Sequence, residues 1–209
     1  MLQITKTEMI KRGQVRIWIN DEPAFRLSEN QMKDLHLAEG RELETEELAA
    51  IHTEVLLPAA KNRCLDLLLA SDKTRKAVLD RLIREDYPED VAVQAVEYAE
   101  SFRYIDDLRY ACSFIRTKKD SMSSRQIRQK LLEKGVPADQ IEEAFSQEEP
   151  PDEAAQIRYW MQKKRFVSST ADQKETERFM RFLVRKGFSY ADIRNALEKE
   201  KIDTTSFNV

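Results

Sequence analysis

Two clusters of basic residues, one in the middle of the chain and one near its end, have the composition needed to bind an anion. The first lies around the serines at 121, 123 and 124, where cations, hydroxyl groups and the N–H groups of a helix start would lie close together. Such a surface suits contacts with phosphate. The candidate residues of this first cluster are Arg116, Lys118, Lys119, Arg125, Arg128 and Lys130.

The second cluster combines a short basic run with a stripe of arginines at helical spacing. Arg178, Arg181 and Arg185 recur at i, i+3 and i+7 and therefore share one face of a helix. The run before them is Lys163, Lys164 and Arg165. An isolated run of charges is more often a solvated helix face than a binding site, so these residues alone establish no partner.

The charge of the whole chain is −3, which argues against simple non-specific affinity for nucleic acid, but the charges are unevenly distributed. Residues 21–57 contain ten acids and three bases, whereas residues 109–134 contain eight bases and two acids, and residues 158–186 nine bases and three acids. This polarity indicates an anionic partner for the later part of the chain.

The residues that catalysis, a cofactor or a metal would need are missing or isolated. His36 and His52 are the only histidines and lie outside any zinc-ligand spacing, and the four glycines form no phosphate-binding loop. Asp106 and Asp107 could form a metal site of a nuclease, but a helix cap explains them more simply. We therefore expect no enzyme, no cofactor and no metal.

Composition indicates a helical protein of the cytoplasm. Of the 209 residues, 41% are hydrophobic and 35% charged, a mixture typical of amphipathic helices. Cys64 and Cys112 lie within apolar helical stretches and are expected to be buried thiols. No signal-like region and no apolar run of membrane length occurs, so we expect a cytoplasmic protein without membrane contact.

Three copies of one helical unit follow residue 58, with Asp86, Gly135 and Gly187 as equivalent origins. Apolar residues recur at fixed distances from these origins, at offsets of −8, −4 and −3, which would form one buried stripe of a helix. These residues are, in the three copies, Val78, Leu82 and Ile83; Ile127, Leu131 and Leu132; and Phe179, Leu183 and Val184. Gly135 and Gly187 are typical helix terminators, and Pro88 and Pro137 suit the start of the next helix.

Each unit is therefore predicted to contain three helices, with a further helix around 64–70, 108–117 and 154–164 preceding each pair. The fold class is mainly α: three tandem three-helix repeats in an elongated array, after a small N-terminal segment that contains β-strands. The predicted boundaries are 1–58 for the N-terminal segment with two or three short strands, 59–103, 104–149 and 150–202 for the repeats, and 203–209 for a C-terminal tail.

Four segments carry a resemblance to a known family. The block 104–111, Tyr-Ile-Asp-Asp-Leu-Arg-Tyr-Ala, resembles the RecX family of bacterial regulators of the RecA recombinase, and the segments 24–28, 125–136 and 182–189 are similar to that family as well. Glu85 and Asp86 depart from it, because the family usually carries Lys-Gly there.

The resemblance implies a curved array of repeats that binds in the groove of the RecA–DNA filament and modulates, mainly inhibits, recombination, repair and SOS-linked activities. The expected partners are the RecA filament and single- or double-stranded DNA, the latter through the second and third repeats, and a monomer is the simplest expectation. Two alternatives remain: a stand-alone DNA-binding module, and a scaffold that binds protein through the acidic N-terminal segment.

Overall fold

A computed structural model describes residues 1–11 and 13–206, with side chains up to residue 200. The chain forms two compact units, Met1–Asp107 and Leu108–Val209. The first unit therefore joins the N-terminal segment to the first repeat, and the second unit contains the other two repeats. Of the predicted tail 203–209, residues 207–209 lie outside the described part of the chain.

The N-terminal segment is an antiparallel sheet of four strands in the order β3-β2-β1-β4. Its strands are β1 (Leu2–Lys11), β2 (Gln14–Ile19), β3 (Glu22–Ser28) and β4 (Glu42–Leu43). The predicted strands are confirmed, and the side chains of β2 alternate between buried and partly exposed, with Val15, Ile17 and Ile19 all buried. The two-residue strand β4 was not predicted, because two residues show no periodicity.

Short helices connect this sheet to the first repeat. Ser28 caps α1 (Glu29–Asp34) in a capping box with Gln31. The helix α2 (Thr45–Ala50) continues through a π-helical turn, Ile51–Leu56, directly into α3 (Leu57–Ala70). The N-terminal segment thus runs without a break into the repeat, which explains why both belong to one unit.

Each repeat has three helices, and this prediction is confirmed. The first repeat contains α3, α4 (Arg75–Arg84) and α5 (Glu89–Ser101). The second contains α6 (Asp107–Lys118), α7 (Ser124–Glu133) and α8 (Ala138–Gln147). The third contains α9 (Glu153–Lys164), α10 (Gln173–Arg185) and α11 (Tyr190–Ser206). Among the described residues, no helix is long and apolar enough to cross a membrane.

The same turn ends the second helix of every repeat. Asp86, Gly135 and Gly187 all have positive φ, at 63°, 82° and 85°. The residue after each of them donates its N–H to the carbonyl oxygen five positions earlier: Tyr87 to Leu82, Val136 to Leu131 and Phe188 to Leu183, at 3.0–3.2 Å. This hydrogen bond is that of a Schellman motif, and it confirms that the three origins are equivalent.

The predicted apolar stripe is correct at offsets −8 and −4 and wrong at −3. Leu82, Leu131 and Leu183 are fully buried, and the residues at −8 are buried as well. By contrast, Ile83, Leu132 and Val184 remain 41%, 51% and 43% exposed. The helix rotates this position out of the core, because adjacent residues are separated by about 100° around a helix of 3.6 residues per turn.

Consecutive repeats are linked by a helix cap. The side chain that begins the first helix of one repeat accepts a hydrogen bond from the start of the second helix in the preceding repeat. The Arg75 N–H at the start of α4 donates to Asp107 Oδ1 at 2.8 Å, and the Ser124 N–H at the start of α7 donates to Glu153 Oε1 at 2.9 Å. Asp107 and Glu153 begin α6 and α9. Each carboxylate therefore satisfies an otherwise unpaired N–H, and Glu153 thereby joins the third repeat to the second.

The turn of the third repeat lies directly against the second repeat. A Cβ atom added to Gly187 would meet Ser123 Oγ at 2.6 Å and Gln126 Cγ at 2.8 Å. Ser123 Oγ also donates to the carbonyl oxygen of Lys186 at 3.3 Å. Only glycine combines this close approach with an unstrained positive φ.

The first repeat uses its departure from the Lys-Gly pattern to bind the N-terminal sheet. Arg16 of β2 donates to Asp86 Oδ2 from Nε and Nη2, at 3.1 and 2.9 Å. Arg26 of β3 lies 3.9 Å from Glu85, which also accepts two hydrogen bonds of 2.7 Å from Arg63. The two acids at this turn are therefore bound by arginines, and their side chains attach the sheet to the repeat.

We predict that Gly187→Ala destabilises the protein more than Gly40→Ala does. Both glycines have φ near +85°, so both substitutions carry backbone strain of about 1–2 kcal/mol, but nothing lies within 4 Å of a Cβ at Gly40. The overlap with Ser123 should add about 1–3 kcal/mol at Gly187. Urea-induced unfolding of the two variants measures the difference; equal destabilisation would contradict the close packing.

We also predict a pH-dependent destabilisation in Glu85→Gln. The hydrogen bonds from Arg63 hold the pKa of the Glu85 carboxyl below its ordinary value. Its contribution, about 2 kcal/mol for hydrogen bonds to a charged group, is therefore present above the ordinary carboxyl pKa and disappears as the pH falls through the folded-state pKa.

The free energy of unfolding of the wild type and of Glu85→Gln should accordingly differ at pH 7 and converge towards pH 3. Glu97→Gln is the matched control, because Glu97 is exposed and makes no ion pair among the described residues. A wild-type advantage over Glu85→Gln that stays constant across this pH range would show that the ion pair is not its source.

Candidate nucleic-acid interface

The cations predicted in the second repeat are largely paired within that repeat. The acids that pair with them come from α8, the segment after it and α7 itself. The pairs are Arg116 with Glu148 at 2.9 Å, Lys119 with Glu149 at 2.5 Å, Arg128 with Glu142 at 2.7 Å and Lys130 with Glu133 at 3.1 Å. Each carboxylate lowers the positive potential that phosphate would otherwise meet at that cation.

The pairing of Arg128 is the most complete of these. Glu142 accepts two hydrogen bonds from it, at 2.7 and 3.0 Å, and its guanidinium carbon lies 3.9 Å from the centre of the Phe145 ring. The bond to Glu142 raises the pKa of the Arg128 side chain. A bidentate Arg–carboxylate pair on an aromatic ring leaves little of the guanidinium free for a ligand.

The helix start in the second repeat is also partly occupied. The sequence predicts that N–H groups at this helix start contact phosphate, yet the Ser124 N–H donates to Glu153 and the Gln126 N–H to Ser123 Oγ. Arg125 and Lys118 make no ion pair among the described residues. They are the predicted cations of this repeat that remain available.

The third repeat, by contrast, brings unpaired cations together. Lys164 and Arg165 at the end of α9 and Arg178 and Arg185 on α10 line one surface depression around Phe166, Phe179 and Phe182. Glu175 is the acid that lines it. All four cations are exposed, and none forms an ion pair within the part of the chain that the structure describes. We call this set of residues the α9–α10 depression.

Local structure positions this set. Arg165 has φ of +51° and ends α9, which directs the chain across the start of the depression. Phe166 then stacks on Phe179, with ring centroids 4.2 Å apart and an angle of 11° between the planes. Because Phe179 is buried, it anchors the loop to α10 and keeps Arg165 on the same depression as Arg178.

Arg181 lies in a second, more apolar depression rather than with the other arginines of the stripe. Its neighbours there are Met180, Val184 and Tyr190, and Glu177 is the acid. Arg185 lines both depressions. The three arginines that the sequence places on one stripe therefore span two adjoining surfaces.

Lysines of the third repeat lie over aromatic rings. The ammonium groups of Lys163 and Lys186 are 5.1 and 4.9 Å from the centre of the Trp160 ring, and that of Lys164 is 5.2 Å from Phe182. Phe179 is buried, whereas Tyr159 of α9 is 54% exposed. This arrangement of cations and partly exposed rings was not predicted, because distant ring contacts leave no periodic signal.

Two of the residues considered for catalysis, His52 and Asp107, contact other parts of the first unit. His52 Nδ1 lies 3.1 Å from Asp90, and Asp107 accepts the backbone N–H of Arg75. Burial raises the pKa of the Asp107 carboxyl, and the bond from the Arg75 N–H opposes this rise. Among the described residues, no group of three or more His, Cys, Asp or Glu side chains is placed to hold a metal ion.

Comparison with protein families identifies each repeat separately. Residues 60–98 match the first three-helix domain of RecX, residues 106–144 the second and residues 152–197 the third. Together these ranges include most of the chain that follows the N-terminal sheet.

Individual relatives match nearly the whole chain. The regulatory protein RecX of Clostridium botulinum (strain Eklund 17B / Type B) is 28% identical over 97% of this chain and 98% of its own. That of Limosilactobacillus reuteri (strain DSM 20016) is 29% identical over 90% of this chain and 73% of its own.

Two solved structures have a fold similar to that of this chain. A crystal structure of regulatory protein RecX, 26% identical, covers 93% of this chain and 100% of its own with a TM-score of 0.62. RecX from Lactobacillus salivarius, 22% identical, covers 70% of this chain and 97% of its own with a TM-score of 0.59, which shows the shared fold. The three matched domains, in this order and on this fold, show that the chain belongs to the RecX family.

Proposed function

We propose that this protein is a non-catalytic, cytoplasmic regulator of the RecA recombinase. It binds in the groove of the RecA–DNA filament and modulates, mainly inhibits, recombination and SOS-linked activities. The observation that carries the proposal is the α9–α10 depression, where Lys164, Arg165, Arg178 and Arg185 are exposed without ion-pair partners among the described residues. Membership in a family of regulatory proteins supports the non-catalytic role.

The third repeat is the main contact for DNA in this proposal. A cation binds phosphate by releasing condensed counterions, and a cation already paired with a carboxylate gains much less from that exchange. The second repeat pairs Arg116, Lys119 and Arg128 with acids, whereas the arginines of the third-repeat stripe have no such pairs in the described structure. Phe182 and Trp160 add partly exposed rings on which unpaired bases can stack.

A stand-alone DNA-binding module is the second candidate, and the same depression favours it. Cations beside aromatic rings bind single-stranded nucleic acid without any protein partner. This candidate differs from the first in requiring useful DNA affinity in the absence of RecA.

The third candidate, a scaffold that binds protein through the N-terminal segment, cannot be tested by deleting that segment. Residues 1–58 share one core with the first repeat, since Ile4, Ile17 and Phe25 belong to the same buried cluster as Val78 and Leu82. Removing the segment would expose that core, so surface substitutions within 1–58 are the informative variants for this candidate.

We predict that replacing Arg178, Arg181 and Arg185 together by Ala weakens inhibition of RecA. The triple variant should restore RecA-driven strand exchange and ATP turnover at protein concentrations where the wild type suppresses them. It should also weaken DNA binding and lower the slope of log K against log salt by about one for each phosphate that the variant no longer binds.

The matched control is the Arg116, Lys119 and Arg128 to Ala variant. It removes the same number of charges from the second repeat, where the cations are already paired, and its effect should be smaller. If both triple variants are weakened equally, overall charge and not the third repeat determines binding. A wild type that leaves strand exchange and ATP turnover unchanged at stoichiometric amounts refutes the proposed function.

For the second candidate, we predict weak, salt-sensitive binding of a fluorescent single-stranded oligonucleotide by the wild type alone, measured by anisotropy at low salt. Tight binding without RecA, together with unchanged RecA activity, would favour the stand-alone module. Absence of binding at low salt rules that candidate out.

A further inference from the structure

The second helix of every repeat exposes one apolar residue at the same position. Ile83, Leu132 and Val184 each stand three residues before the residue with positive φ that ends the helix, and each is more than 40% exposed. Single exposed apolar residues are common on protein surfaces. Here, however, the exposed position is apolar in all three copies. The core does not require this, because the preceding leucine of each helix already fills it, so the apolar residue belongs to the surface of each repeat.

The charges around this position differ between the repeats. The residues three positions before it are Asp80, Gln129 and Arg181, and those directly after it are Arg84, Glu133 and Arg185. If nucleic acid contacted this position in all three repeats, the cations would recur and the apolar residue would not be required. The constant element is the apolar one, which indicates a protein partner.

In the second unit this position borders a groove between α7 and α10. Val184 and Arg185 line one side, and Arg125, Gln126, Gln129 and Lys130 line the other. The contact between Gly187 and Ser123 holds the two helices side by side, so the groove exists before any partner binds. A preformed groove lowers the free-energy cost of ordering on binding.

The groove has the charge to select an acidic partner. Its charged lining residues are Arg125, Lys130 and Arg185, and no carboxylate of the described residues lines it. Arg125 and Arg185 form no ion pair within the described residues, and Lys130 is paired with Glu133. The side chains of Gln126 and Gln129 add hydrogen-bonding groups, and Val184 adds an apolar contact.

We infer that the exposed faces of the second helices are protein-docking surfaces, with Ile83, Leu132 and Val184 as equivalent apolar contacts. The α7–α10 groove beside Val184 takes an acidic segment of the RecA filament. This inference rests on the proposed function and adds a protein contact to its DNA contact. A filament of identical subunits presents the same surface repeatedly, which suits a contact that the repeats also present more than once.

The test is cosedimentation of the protein with RecA filaments formed on single-stranded DNA. Leu132→Ser and Val184→Ser, combined, should weaken filament binding about tenfold or more, as truncation of a central apolar residue in an interface does. Ile83→Ser should weaken it further in the triple variant. Because these positions are about half exposed, the substitutions should lower the unfolding midpoint in urea only slightly, and this is measured for each variant.

Leu69→Ser is the matched control, since Leu69 is 86% exposed on α3 and is not at the repeated position. It should bind filaments like the wild type. Anisotropy with the oligonucleotide alone should be the same for the wild type and the Ser variants.

The outcomes separate this inference from the proposed function. Ser variants that bind filaments like the wild type, while the wild type still inhibits RecA, overturn the inference and leave the proposed function intact. Ser variants with reduced affinity for the oligonucleotide alone show that nucleic acid occupies the groove, which also overturns it. A wild type that neither binds nor inhibits filaments overturns both.

Discussion

Each second helix ends in one residue with positive φ, and the arrangement within each repeat depends on this turn. The N–H of the following residue, Tyr87, Val136 or Phe188, returns to the carbonyl of the buried leucine five positions earlier. That hydrogen bond ends the helix and turns the chain towards the third helix of the repeat. The residue with positive φ remains able to contact other parts of the protein.

The repeats use this common turn differently. In the third repeat, Gly187 packs against Ser123 so closely that a Cβ would overlap, and this contact holds together the groove between α7 and α10. In the first repeat, Asp86 stands in place of glycine and binds Arg16 of the sheet. One backbone conformation thus supports a contact between repeats in one place and the attachment of an N-terminal sheet in another.

Charge pairing distinguishes the two basic repeats more than charge number does. Their cation counts are similar in sequence, but Glu142, Glu148 and Glu149 bind cations of the second repeat, and the described part of the third repeat has no corresponding pairs at Arg178 and Arg185. The proposed DNA contact therefore belongs mainly to the third repeat, and the second contributes the wall of a groove suited to an acidic protein segment. Arg185 lines both surfaces and links them.

The fold class, the three equivalent repeats and the general location of the cations could be predicted from the sequence alone. These features depend on interactions between residues a few positions apart, such as the 3.6-residue period, the left-handed turn at glycine and the helix cap, so they leave a local pattern. The packing of the helices determines which cations are neutralised, since Arg128 and Glu142 are 14 residues apart and Arg116 and Glu148 are 32 apart. It also determines that the residue at −3 faces solvent, that Glu85 and Asp86 attach the sheet, and that Gly187 packs against Ser123. These outcomes depend on how helices are rotated and packed, and no period in the sequence records a contact between residues far apart in the chain.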